Sequence, residues 1–184
     1  MKKITFLFCL LTLFYPAFAE NNVMFGKKTN SLTLYVAQST GSGTLFKLIN
    51  PVLWDIYPQT FFMAQYSQPM EFFRLDSRLN LNITQNFGYN NNSNLSFFSM
   101  GISIDTAILQ YNNWYTGIGI GPYMRDNLDR WVDSRLVFGE KFFIGKSINE
   151  NWNFEIFTIH FSNGNFTKIN KGFNFVGASV GYKF

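Results

Sequence analysis

Apolar and polar residues alternate along most of this chain, in segments rich in Phe, Tyr, Ile, Leu and Thr that are separated by Gly, Asn and Pro. A period of two is the pattern of β-strands with one apolar face. Nowhere after the N-terminal segment do the roughly 18 consecutive apolar residues of a membrane-spanning helix occur. The pattern predicts eight strands, at about residues 31–40, 58–68, 74–88, 94–108, 113–124, 133–146, 151–162 and 173–184. The sequence therefore predicts an all-β fold.

The predicted strands and their connections match the dimensions of a transmembrane barrel. About ten residues per strand are enough to cross a bilayer at the tilt that a barrel requires. On average, the connections after the first, third, fifth and seventh strands are longer than those after the second, fourth and sixth. Outer-membrane barrels have long external loops and short periplasmic turns, and an even number of strands places both termini in the periplasm. We therefore expect an eight-stranded antiparallel β-barrel of the bacterial outer membrane.

The last predicted strand separates its apolar residues from its small and polar ones. One face carries Val176, Ala178, Val180, Tyr182 and Phe184, and the other carries Gly177, Ser179, Gly181 and Lys183. A soluble exported barrel of the lipocalin type would show a similar alternation. Such a barrel would place charges on its outward face, whereas the one charge of this strand lies on the other face. The pattern favours a closing strand that faces lipid, and a soluble exported lipid carrier is the alternative.

The N-terminus has the three parts of a secretory signal peptide. Lys2 and Lys3 precede an apolar run, and small residues stand at positions 17 and 19 before Glu20. The apolar run is too short to span a membrane. We expect residues 1–19 to be a signal peptide and residues 20–184 to form a single barrel domain. Cys9 would be removed with the signal, so the mature chain would contain no cysteine and no disulfide bond.

The composition excludes several other classes of protein. Aromatic residues make up 20% of the chain and charged residues only 14%, so the chain is not intrinsically disordered. A formal charge of +4 is too small to indicate nucleic-acid binding. One cysteine and one histidine make a metal site improbable, and no cofactor is expected. We expect many of the aromatic side chains to face lipid in belts at the membrane interfaces. Charges in the predicted strands are expected to form ion pairs inside the barrel, among them Arg74, Asp76, Arg78, Glu140 and Lys141.

The single histidine of the chain, His160, lies two residues before Ser162 near the external end of the seventh predicted strand. Residues two apart on a strand point to the same face, and an imidazole beside a hydroxyl is the minimum for an activated serine nucleophile. A lone histidine on a strand is more often structural. The opposite face of this strand carries Asn153 and Glu155, which suit a barrel interior. His160, Ser162 and Asn174 of the next strand are therefore predicted to face outward at the external rim.

The sequence resembles the outer-membrane lipid A 3-O-deacylases, also called acyloxyacyl hydrolases, in several stretches that together span most of residues 60–184. The resemblance is clearest in residues 160–164 (His-Phe-Ser-Asn-Gly), at Asn170 and in the closing residues 174–184. Residues 65–69, 72–74, 115–121 and 138–145 are also similar to members of this family. This resemblance implies an eight-stranded barrel that removes the ester-linked 3-position acyl chain from lipid A of lipopolysaccharide, without a metal ion.

The resemblance also implies roles for particular residues. His160 would be the general base and Ser162 the nucleophile of a His-Ser-Glu triad at the external membrane face. Asn170 would help to hold the oxyanion, together with backbone N–H groups near Asn163 and Gly164. Donors of this kind are each worth roughly 10²–10³ in rate.

This chain departs from the family at the third member of the triad, where Asn174 occupies the position of the glutamate. An asparagine can accept the imidazole N–H and hold its tautomer, but it carries no charge. Glu140 and Glu155 are conceivable substitutes, although neither is preferred, because Glu155 has interior parity and Glu140 lies on the sixth strand. A catalytically weak or inactive barrel with a structural or adhesive role is therefore the alternative function. Whether the barrel forms a homodimer is left open by the sequence.

Overall fold

Eight antiparallel strands form a closed barrel in which each strand pairs with its neighbours in the chain and the first pairs with the last. The computed structural model describes Met24, residues 29–89 and residues 95–184. The strands are β1 (Ser31–Ser39), β2 (Tyr57–Phe72), β3 (Leu75–Gly88), β4 (Phe97–Tyr111), β5 (Trp114–Arg125), β6 (Leu136–Ser147), β7 (Trp152–Ser162) and β8 (Phe173–Lys183). The predicted fold class is confirmed. The predicted signal peptide, residues 1–19, lies outside the described residues, and so it stays a prediction.

One end of the barrel has short turns and the other has long connections, in the predicted alternation. The short turns are residues 73–74, 112–113 and 148–151, and the long connections are residues 40–56, 89–96, 126–135 and 163–172. The first long connection contains a short helix, α1 (Leu45–Ile49), and a 3₁₀ turn, Pro51–Leu53. In the part of the chain that the structure describes, no helix is long and apolar enough to cross a membrane.

The strand β2 extends four residues beyond its predicted end. It continues through Pro69, which pairs with Arg78 of β3, and it ends at a two-residue turn formed by Phe73 and Arg74. Both turn residues have positive φ angles, 49° and 63°, as the favoured hairpin turns require. Such turns usually contain Gly, Asn or Asp, so Phe and Arg at these two positions gave no sign of a turn in the sequence.

A network of four charged side chains crosses the barrel interior. Arg78 contacts Asp105 at 2.8 Å and Glu155 at 2.9 Å, and Lys141 contacts Asp105 at 2.6 Å. The hydroxyl of Tyr115 donates a hydrogen bond to Glu155 at 2.8 Å. Two positive and two negative charges therefore balance inside the barrel, as a buried ionic cluster requires.

The membership of this network differs from the prediction. Arg78 and Lys141 belong to it, but Glu140 points outward from β6, Arg74 lies in an exposed turn, and Asp76 accepts a hydrogen bond from Gln110. Strand parity explains the difference for Glu140, because consecutive residues on a strand point to opposite faces, and Lys141 is the inward neighbour.

The interior also holds many aromatic rings, in addition to those that face outward. A group at the long-loop end consists of Phe61, Phe97, Tyr123, Phe161, Phe173 and Phe175. Glycines on neighbouring strands provide the space for interior rings: a Cβ atom on Gly101 would overlap Tyr123, and one on Gly145 would overlap Tyr115. The aromatic residues are therefore divided between the outer surface, where many of them were expected, and the barrel interior.

The outer surface of the strands is mainly apolar. Leu34, Ile120, Ile144, Ile156 and Val180 are among the large apolar side chains that are about half exposed or more. An apolar surface that encircles a closed barrel suits contact with hydrocarbon rather than with water.

Candidate active site

Three polar residues lie side by side on the outer surface, one on each of three adjacent strands. His160 of β7 is paired in register with Asn174 of β8 on one side and with Glu140 of β6 on the other. The ring atom Nδ1 of His160 lies 2.6 Å from Oδ1 of Asn174. Its Nε2 lies 3.9 Å from Oε2 of Glu140. The strand register alone therefore brings an amide, an imidazole and a carboxylate into one row at the long-loop end of the barrel.

The bond to Asn174 selects one tautomer of the histidine. An amide oxygen can only accept hydrogen bonds, so Nδ1 of His160 carries the hydrogen and donates it. In the neutral ring Nε2 is then left with a lone pair. A histidine in this form is ready to take a proton from a nucleophile at Nε2, as a general base must.

Two members of this row, His160 and Asn174, are buried although they face outward. His160 is 5% exposed and Asn174 is 0% exposed. The segment that follows β1 covers the pair: the N–H of Thr40 donates to the carbonyl of Asn174 at 2.9 Å, and the N–H of Asn174 donates to the carbonyl of Gly41 at 3.1 Å. The helix α1 contacts both β7 and β8. The loop after β1 thus shields the imidazole and the amide from their surroundings.

Gly172 covers the ring of His160 from the loop that precedes β8. This glycine has a positive φ of 64°. A Cβ atom added there would lie 2.8 Å from the carbonyl oxygen of Gly43 and 3.1 Å from Nε2 of His160. The ring is therefore held between β7 and two loop backbones, which approach closely because both contribute glycine.

Ser162 is half-buried and lies on the same face of β7 as His160, paired in register with Phe138 of β6. The structure brings the two side chains to one face, as predicted. In the described part of the chain, the Ser162 side chain makes no hydrogen bond, to His160 or to any other residue. Hydrogen bonds of this kind are often long before substrate binds, so the spacing is compatible with a nucleophile and its base.

The residues expected to hold an oxyanion are engaged in the loop itself. The backbone N–H of Asn163 donates to Oδ1 of Asn170 at 3.0 Å, and Nδ2 of Asn170 donates to Oδ1 of Asn165 at 2.8 Å. Asparagine side chains commonly bond to nearby backbone groups in this way. One hydrogen of the Asn170 amide and the N–H of Gly164 have no bond to another described residue. These two groups are the donors that the loop leaves for a substrate oxygen.

The two glutamates that were considered as substitutes for a triad acid lie on opposite sides of the barrel wall. Glu155 is inside and pairs with Arg78, as its parity predicted. Glu140 is outside, and the pairing of β6 with β7 sets it directly opposite His160. Its outward parity was readable from the sequence, but its level relative to His160 depends on the strand register. Within the described residues, no three His, Cys, Asp or Glu side chains come together as a metal site would need.

Comparisons with known proteins relate this chain to one family. Residues 60–183 match the family model described as lipid A 3-O-deacylase (PagL). The crystal structure of the outer membrane enzyme PagL aligns with a TM-score of 0.55 and 11% identity, over 84% of this chain and 99% of that chain. The crystal structure of Neisserial surface protein A (NspA) aligns with a TM-score of 0.55 and 14% identity, over 84% of this chain and 97% of that chain.

A third structure, that of the Yersinia pestis outer membrane protein Ail in a phospholipid bilayer nanodisc, gives a TM-score of 0.48 at 14% identity, over 85% of this chain and 99% of that chain. At such low identities the first two structures show a common fold and nothing about activity. No curated protein sequence is significantly similar to this chain.

Proposed function

Since the chain belongs to the lipid A 3-O-deacylase (PagL) family and is a β-barrel of the bacterial outer membrane, we propose that it removes the ester-linked 3-position acyl chain from lipid A. The observation that carries this proposal is the hydrogen bond between His160 and Asn174, with Ser162 beside it on the same outward face. The substrate would be lipopolysaccharide in the outer leaflet, which reaches an outward-facing site by lateral diffusion.

The proposed reaction proceeds through an acyl-enzyme. Nε2 of His160 takes the hydroxyl proton of Ser162 while Oγ attacks the ester carbonyl carbon. The tetrahedral intermediate collapses, the bond to the sugar oxygen breaks, and His160 returns the proton to that oxygen. His160 then takes a proton from water, whose oxygen attacks the carbonyl carbon of the acyl-enzyme. The bond between that carbon and Oγ of Ser162 breaks, His160 returns the proton to Oγ, and the fatty acid leaves. Asn174 keeps Nδ1 protonated throughout, so that Nε2 can accept and return the proton.

The oxyanion would be held by donors at the start of the loop after β7. The N–H of Gly164 and the remaining amide hydrogen of Asn170 are available for this role, whereas the N–H of Asn163 first has to leave Asn170. Loss of one donor of this kind typically lowers kcat by roughly 10²–10³.

The loss of folding stability caused by a buried polar group at this site supports a catalytic role. Nδ2 of Asn174 is buried and has no hydrogen-bond partner in the described structure, and an unsatisfied buried polar group costs about 1–3 kcal/mol. Apolar side chains on the same surface would cost nothing of this kind. A polar group that is kept at the expense of stability is more readily explained by chemistry than by folding.

A barrel of the same fold with no activity and a structural or adhesive role is the second candidate. Two observations favour it: asparagine stands where the family has glutamate, and the Ser162 side chain has no bond to His160 in the described structure. An uncharged third residue would stabilise the imidazolium less than a carboxylate does.

The two functions are distinguished by mass spectrometry of lipid A after incubation with the purified, refolded protein. We expect the loss of one acyl chain from the 3-position, and we expect Ser162→Ala and His160→Ala each to abolish it. Heat-modifiable migration on gels would show that both variants still form a barrel. If the wild-type protein leaves the mass of lipid A unchanged while a related deacylase removes an acyl chain under the same conditions, the non-catalytic role is correct.

A further inference from the structure

Glu140 is the one carboxylate within 4 Å of the His160 ring among the residues that the structure describes. Its side chain is 32% exposed, and it makes no hydrogen bond to another described residue. The interior carboxylates pair with Arg78 and Lys141, whereas Glu140 forms no ion pair with a lysine or an arginine of the described residues. This carboxylate interrupts the mainly apolar outer surface of the strands, and it lies level with the candidate general base.

We propose that Glu140 supplies from β6 the negative charge that asparagine at position 174 cannot supply from β8. Asn174 holds the tautomer through Nδ1, and Glu140 stabilises the imidazolium from the Nε2 side. The work of one triad glutamate is thus divided between two residues on opposite sides of the ring. This inference rests on the proposed function, and in it Glu140 is a positioning residue that acts through His160 and not on the substrate.

The distance makes the interaction selective for the charged ring. With neutral His160, Nε2 and the carboxylate are both acceptors, and 3.9 Å is too long for a hydrogen bond. Once Nε2 has taken the proton of Ser162, the ring carries a positive charge and Nε2 becomes a donor that faces a negative charge. The same separation leaves this hydrogen free to pass to the leaving oxygen. An interaction present only after proton transfer raises kcat and leaves substrate binding unchanged.

The other charged groups around the ring do not compete for this role. Lys47 of α1 pairs with Asp55 at 2.8 Å. Lys168 and Lys171 of the loop before β8 are exposed to solvent. Glu155 is separated from His160 by the barrel wall and pairs with Arg78.

Two substitutions that each preserve the size of the side chain can move the negative charge from the Nε2 side of the His160 ring to the Nδ1 side. Glu140→Gln removes the charge and keeps the shape, and Asn174→Asp adds a charge at the atom that now bonds Nδ1. We expect Glu140→Gln to lower kcat by about 10- to 100-fold with KM unchanged, and Glu140→Asp to lower it less. In the double variant, Asn174→Asp should restore at least tenfold. Glu71→Gln, an exposed site near the short turns, is the matched control.

Two kinetic outcomes would overturn the inference. The first is a Glu140→Gln variant with the kcat of the wild type. The second is a loss of activity in Glu140→Gln that appears as a higher KM, or a lower kcat that Asn174→Asp does not restore. If Glu140 acted through packing alone, a charge on the other side of the ring would not restore kcat.

The activity of the wild-type protein separates the two proposals. A wild-type protein without deacylase activity would overturn both, because the role of Glu140 rests on the proposed function. An active wild-type protein with either of the two outcomes above would overturn the role of Glu140 alone.

Discussion

Gly172 packs against the ring of His160, so a methyl group at this position should displace the histidine. The added Cβ of Gly172→Ala would lie 2.8 Å from the carbonyl oxygen of Gly43 and 3.1 Å from Nε2, and it would come closer still to Cε1. Carbon atoms in contact are usually about 3.5–4.0 Å apart. Because β7 lies behind the ring and Gly43 limits movement of the loop, the ring has to turn, and its 2.6 Å bond to Asn174 should break.

The size of the effect follows from two separate terms. The first is the backbone strain of a side chain at positive φ, about 1–3 kcal/mol of stability. The second is the displacement of His160, because a shift of about 1 Å in a reacting group costs roughly 10² in rate. Gly41→Ala provides the control: Gly41 also has a positive φ, 83°, but its nearest neighbours to an added Cβ are at 3.5 and 3.6 Å. Both variants should lose stability, and only Gly172→Ala should lose about 10² in rate.

The assay combines initial rates of lipid A deacylation, followed by mass spectrometry, with the urea concentration at which each refolded barrel loses its heat-modifiable form. Rates are compared at a urea-free condition in which both variants are fully folded. Equal rates for Gly172→Ala and Gly41→Ala would refute the reasoning, because they would mean that activity does not depend on how His160 is packed against the loop.

Two further predictions concern the barrel interior. Arg78→Met should lower the free energy of unfolding by about 3–5 kcal/mol, because Asp105 and Glu155 would keep buried charges without their common partner; urea titration in detergent measures this, and a change below about 1 kcal/mol would show that water reaches the network. Gly145→Ala should cost about 1–3 kcal/mol, because the added Cβ would overlap the ring of Tyr115; the same titration tests it, and an unchanged midpoint would mean that Tyr115 moves at no cost.

Most of the fold was predictable because alternation is a local property. Each strand has two faces, so alternation over about 4–8 neighbouring residues is enough to identify a strand and to separate its two faces. The predicted strand boundaries fail where turn chemistry is unusual. Phe73 and Arg74 form a tight turn at positive φ with residue types that do not indicate one, so the end of β2 was predicted too early.

The site was predictable where it depended on parity and not where it depended on register. His160 and Ser162 share a face because they are two residues apart on β7. Glu140 was conceivable as a substitute acid but was not preferred, since its role requires that residue 140 of β6 and residue 160 of β7 lie at the same height, and the register that sets this was not known. Register depends on the hydrogen bonds between two strands and on the turn that joins them, and the sequence of one strand does not specify it.

Local sequence pattern was therefore sufficient for the class of the protein, the number of strands, the outward side of the candidate residues and the resemblance to lipid A 3-O-deacylases. Closure of the barrel was needed to set Asn174, His160 and Glu140 in one row and to bring the loops after β1 and β7 over the imidazole. The physical reason is that strand parity is set by bonds between successive residues, whereas register and burial under a loop arise only from contacts between residues far apart in the chain. These long-range contacts give His160 its hydrogen bond to Asn174, its cover by two loops and a carboxylate nearby, none of which follows from its outward parity alone.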